Sequence, residues 1–130
     1  MRQILSDHVP EAALETCLSL WHECPFHFRV ARRRSSKLGD YRFDRRSREH
    51  AISVNGNLNK YAFLVTYVHE VAHLMVTVQY GRRVQPHGAE WKRTFAGLMR
   101  PLLTGEVFPD RLLEILRRHL RNPRASSQTD

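Results

Sequence analysis

His69, Glu70 and His73 stand in the order H-E-x-x-H. On a helix, residues one turn apart project the same way, so the imidazoles of His69 and His73 can share one metal ion at about 2.0–2.1 Å. Glu70 lies one step round from His69. There it can reach a water beside the metal without being a ligand, as a general base must. Two histidines do not complete such a centre, because catalytic zinc sites take three protein ligands and keep the fourth position for water.

The third ligand must come from beyond the helix. Leu74 to Gln79 hold no glycine and no further histidine, which excludes the metzincin spacing. Gly81 suits a helix stop, with Arg82 and Arg83 just beyond it. His87, between Pro86 and Gly88, is then the first His, Cys or carboxylate able to bind a metal. Glu90 follows three residues later and would make a site of two histidines and a glutamate. The residues alone leave both open.

The element that carries the motif is a long helix, expected over Lys60 to Tyr80 with Asn59 as its N-cap. From Tyr61 to Val78 its polar residues are Thr66, His69, Glu70, His73 and Thr77. At about 100° per residue these fall within an arc of roughly 100°. The helix is therefore expected to be buried nearly all round, with one polar stripe. Buried polar groups without partners cost free energy, so the stripe needs partners, which a bound metal and a water-filled cleft would supply; two hydrogen-bonded core histidines with a glutamate between them are the bland alternative.

The other elements follow from periodicity. Asp7 and Pro10 read as the start of a first helix, with Ala13, Leu14, Cys17, Leu18 and Trp21 on one face and Pro25 as its end. Phe26, Phe28 and Val30, then Tyr41 and Phe43, then Ile52 and Val54 alternate with polar residues, predicting a small antiparallel sheet of about three strands. Leu38-Gly39-Asp40 and Asn55-Gly56-Asn57 read as turns. Trp91, Phe95, Leu98 and Met99 predict another helical face that Pro101 interrupts. A last helix is expected over Asp110 to Leu120, followed by a frayed polar segment from Asn122 to Asp130. The fold class expected is α+β.

At 130 residues and 15.3 kDa, one domain over 1–130 is expected. The longest apolar run falls short of the roughly 18 residues of a bilayer span, and no signal-peptide pattern follows Met1. A soluble, cytoplasmic protein is expected, taken as a monomer. Cys17 and Cys24 have no second pair, which excludes a cysteine-only zinc module; Cys17 is expected to be a buried free thiol. The net charge of +8 is concentrated between Arg29 and Arg48. Arg29, Arg32, Arg33, Arg34, Lys37, Arg42, Arg45, Arg46 and Arg48 face only Asp40 and Asp44 there. Such a density attracts polyanions, so these nine are candidate nucleic-acid contacts. The remaining histidines, His8, His22, His27, His50 and His119, have no motif partner.

The stretch HEVAHLMVTVQYGRRVQPHGAEW resembles the SprT-like family of zinc metalloproteases, which includes a protease of DNA–protein crosslinks. The upstream LGDYR and ISVNGNL extend the likeness to about Leu38–Met99. The resemblance implies a zincin-like domain with one zinc ion, His69, His73 and His87 as its ligands, Glu70 as general base and Trp91 as packing behind the loop. Many family members carry further C-terminal modules. The ending NPRASSQTD reads as an interruption, so this chain is expected to be the N-terminal catalytic part of a longer protein.

The function expected is metal-dependent hydrolysis of peptide bonds in proteins, near DNA. A non-catalytic nucleic-acid-binding module with structural zinc is the alternative, and a small-peptide or amide hydrolase unrelated to DNA is a third reading. A second stabiliser of the oxyanion is needed. Tyr80 and His50 are candidates, and neither is assigned.

Overall fold

A computed structural model describes residues 1–121, so the expected frayed tail lies outside the described residues. The chain is α+β. A short helix α1 (Arg2–Ser6) and a 3-10 turn (Glu11–Ala13) lead into α2 (Leu14–Glu23). Strands β1 (His27–Ala31), β2 (Gly39–Asp44) and β3 (Glu49–Asn55) follow, then α3 (Lys60–Tyr80) and α4 (Ala89–Met99). A second 3-10 turn (Arg100–Leu102) precedes α5 (Asp110–Leu120).

The helix α3 is the spine. Asn59 caps it, its side-chain oxygen accepting from the backbone N–H groups of Tyr61 and Ala62 at 3.0 and 2.9 Å. These are two of the donors that a helix start leaves unsatisfied. Gly81 ends it at φ 76°, a conformation that favours glycine. In length and hydropathy α3 would fit a bilayer span, but here the apolar residues are spent on the core. Phe63, Leu64, Tyr67, Val68, Val71, Ala72 and Leu74 have no exposed surface. The sheet packs on one side of α3, and α4 contributes Trp91, Phe95 and Met99 on the other. The Tyr67 hydroxyl donates to the Cys17 carbonyl at 2.9 Å, tying α3 to α2. The Cys17 thiol is buried and free, and burial pushes its pKa up to about 12.

The sheet is mixed, not wholly antiparallel. Its order is β1-β3-β2, with β1 parallel and β2 antiparallel to β3. Alternation identifies a strand but is blind to direction. The loop between β1 and β2 steps over one strand position, and β3 folds back from β2 into the gap. A second correction concerns Leu38-Gly39-Asp40, expected as a turn: Gly39 and Asp40 begin β2 instead. The chain reverses at the next loop, where Asp44 accepts from the Arg46 and Ser47 backbones and Arg48 takes φ 60°. A third concerns the N-terminus. Asp7 closes α1, its backbone N–H donating to the Gln3 carbonyl, rather than opening the next helix. Five residues are too few to show a helical period, which is why α1 escapes a pattern reading.

Candidate metal centre

The polar stripe of α3 is covered from two sides. β2 lies over Thr66 and Glu70, and the segment from Pro86 to Trp91 lies over the histidines. Gly39 makes the first approach possible. A Cβ there would sit 2.6 Å from Thr66 Cγ2 and 2.9 Å from Glu70 Oε2. The glycine thus serves close backbone approach to the carboxylate rather than a turn. Thr66, His69 and Glu70 are at most 1% exposed, whereas His73 and His87 are half-buried.

The chain reverses after Gly81 and returns His87 to the helix. One nitrogen from each of His69, His73 and His87 lies within 4.8 Å of the others. His87 Nε2 stands 3.0 Å from His73 Nε2 and 3.2 Å from His69 Nε2. A neutral imidazole nitrogen either carries one proton or offers one lone pair, so His87 Nε2 satisfies only one of these contacts by hydrogen bonding. A metal ion takes all three lone pairs together. Ligand nitrogens about 2.0–2.1 Å from a tetrahedral zinc stand roughly 3.3 Å apart, close to the spacing here. The donor set therefore fits a zinc ion.

Trp91 is more central than packing behind a loop. It is 1% exposed, its ring centroid lies 4.7, 5.4 and 4.8 Å from those of His69, His73 and His87, and it stacks on Phe95 at 4.9 Å. Its indole N–H donates to the His69 carbonyl at 3.3 Å. One buried ring thereby packs against all three imidazoles. Glu90 does not join the histidine group; it sits in the first turn of α4, where a carboxylate suits the positive end of the helix.

The centre opens into a cleft of about 210 Å³ lined by Asp40, Tyr41, Glu70, His73, Pro86 and His87. Tyr41 and Asp40 were not singled out from sequence. The available signal was the stripe itself, which required a polar or closely packed neighbour from elsewhere in the chain.

The basic residues spread over three places. Arg29, Arg34 and Arg42 line a depression on the outer sheet face together with His27, Asp40 and Ser53. Arg45, Arg46 and Arg48 sit at the β2–β3 turn, and Arg32 and Arg33 lie exposed after β1. Arg34 and Lys37 are half-buried and engaged internally. Arg34 donates to Asn55 Oδ1 at 2.7 Å and Ser53 Oγ at 3.0 Å, and Lys37 pairs with Asp40 at 3.0 Å. Asp40 also pairs with Arg42 at 2.8 Å.

The model of the SprT-like family matches residues 11–109. The chain belongs to the SprT-like family. The SprT-like match runs well beyond the stretch from Leu38 to Met99 that carries the motif resemblance, taking in α2 and β1. Protein SprT of Pseudomonas fluorescens (strain SBW25) is 44% identical over 46 residues, covering 35% of this SprT-like chain and 24% of that protein. The match thus spans about a quarter of the relative's length. No solved structure matches.

Proposed function

We propose that this SprT-like chain is a zinc-dependent, zincin-like peptidase that hydrolyses peptide bonds of protein substrates near DNA. The observation that carries the reading is the convergence of His69, His73 and His87, two of which, His73 and His87, line a cleft together with Glu70. His69, His73 and His87 would hold the ion, and Glu70 would be the general base. Bound zinc supplies Lewis acidity, which brings the pKa of a water towards neutral and polarises a carbonyl. Glu70 takes a proton as that water's oxygen bonds to the carbonyl carbon. It then delivers the proton to the amine nitrogen as the C–N bond breaks.

Substrate placement follows from the sheet. β2 is an edge strand. Asn55 N–H donates to the Leu38 carbonyl, and opposed residues of an antiparallel pair alternate between bonded and non-bonded. Gly39 and Tyr41 therefore turn their backbone groups away from β3, beside the cleft. An extended peptide pairing there would cross Glu70. A structural zinc site is usually closed by four protein ligands. Among the described residues no fourth His, Cys, Asp or Glu joins the group, which disfavours the non-catalytic module. The two free thiols suit the reducing cytoplasm in which we place the protein.

The test is Glu70→Gln in the zinc-loaded chain. Zinc content should match the wild type while cleavage of an unfolded protein substrate drops to background. Undiminished cleavage by the variant would refute the mechanism.

A further inference from the structure

The tetrahedral intermediate of peptide hydrolysis carries an oxyanion, and a hydrogen-bond donor aimed at it is a usual part of such sites. The cleft lining narrows the choice. Glu70 is the base and His73 and His87 are assigned to the metal. Pro86 has no side-chain donor, and Asp40 is an acceptor already paired with Lys37 and Arg42. Tyr41 is the lining residue left with a side-chain O–H.

Its position is built. Gly39 and Tyr41 lie on the same face of β2, the face that meets α3 at Thr66 and Glu70. The Tyr41 hydroxyl lies 2.8 Å from His50 Nδ1, and the two rings are stacked with centroids 5.8 Å apart. Phe43 also packs against His50 at 5.1 Å, so the imidazole contacts two rings of β2. Burial pushes the Tyr41 pKa up, against the Thr77 hydroxyl and the Arg82 charge, so the phenol keeps its proton at neutral pH. Burial lowers the pKa of His50, which keeps it neutral.

We propose that Tyr41 donates its hydroxyl proton in a hydrogen bond to the substrate oxyanion, with His50 as the positioning residue that holds the phenol by donating Nδ1–H to its oxygen. A phenol has one proton. With the Tyr41 oxygen accepting from His50, and from the Thr77 hydroxyl beside it, that proton is left for the substrate. No proton changes hands; the bond strengthens as the carbonyl oxygen gains charge. The assignment rests on the peptidase reading above and replaces Tyr80, which is 41% exposed and does not line the cleft. His50, the other candidate, acts through Tyr41.

The experiment compares zinc-loaded wild type with Tyr41→Phe, which removes only the hydroxyl. The kcat should fall about 100- to 1,000-fold with little change in KM. Affinity for a phosphinic peptide, a tetrahedral anion mimic, should weaken in the same proportion, while zinc content and Tm stay at wild-type values. His50→Ala should lose part of that kcat, and His50→Asn, which keeps an N–H near the Nδ1 position, should recover some of it. An unchanged kcat, or a rise in KM alone, overturns the proposal. If the wild type cleaves nothing and behaves as Glu70→Gln does, the peptidase reading itself has failed. The phosphinic peptide titration then decides separately, and equal affinity for wild type and Tyr41→Phe overturns the assignment.

Discussion

Two side chains compete on paper for the third ligand position, and geometry separates them. His87 brings Nε2 to within 3.2 Å of both helix histidines, whereas Glu90 stays outside the group. His87→Ala should therefore weaken zinc binding by more than about 100-fold, beyond what loss of an outer-shell partner costs. Glu90→Gln should leave it unchanged; competition against a chelator reads both. Cys17 makes a different residue-scale prediction. Its thiol ionises near 9 in an unfolded chain and at about 12 in the fold. Above pH 9 the unfolded chain binds fewer protons than the native one, so stability falls as pH rises from 9 towards 12. Below pH 9 this contribution is fully present. At pH 8 a thiol reagent should modify the half-buried Cys24 first and reach Cys17 only on unfolding.

At the scale of elements, the meeting of β2 and α3 sets Glu70, the proposed general base, in place. Gly39→Ala puts a methyl 2.6 Å from Thr66 Cγ2 and 2.9 Å from Glu70 Oε2. We expect a loss of about 1–3 kcal/mol in stability from overpacking. A fall in kcat should accompany it, because Glu70 must move, while the histidines keep zinc. Adding Thr66→Ser removes the closest methyl and should restore part of the stability; denaturant melts of the single and double variants measure this. The helices α3 and α5 were legible to the residue, because caps, stops and 3.6-residue periodicity are local signals. The strands were legible as strands. Their order was not, since pairing depends on which chain segments lie side by side and not on alternation within one of them.

At the scale of the molecule, the basic residues between Arg29 and Arg48 divide among the outer sheet face, the segment after β1 and the β2–β3 turn. Arg34 Nε and Nη1 and Lys37 Nζ bond within the fold, so these two residues are poor probes of nucleic-acid binding. Arg45 and Arg46 are exposed and make no ion pair among those described. Binding to a short duplex DNA should weaken by about 0.9 logarithmic units per tenfold rise in salt for each neutralised phosphate, and the double change to alanine should flatten that slope by roughly two. Salt-insensitive behaviour, or no binding, would remove DNA from the proposed function. The histidines are split between a helix and a loop that returns after Gly81, and the Trp91 ring packs against all three.

The sequence by itself determined the candidate ligand types, the helical spacing of His69 and His73, the carboxylate of Glu70 beside them and the stop that forces the chain to return. These are encoded within one or two turns of chain, where covalent geometry and helix period leave little freedom. Only the tertiary structure decided that β1 runs parallel to β3, that Gly39 is a contact rather than a turn, that His87 converges while Glu90 does not, and that Tyr41 shares the cleft. Each of those depends on packing between segments far apart in the chain, and no local pattern carries that information.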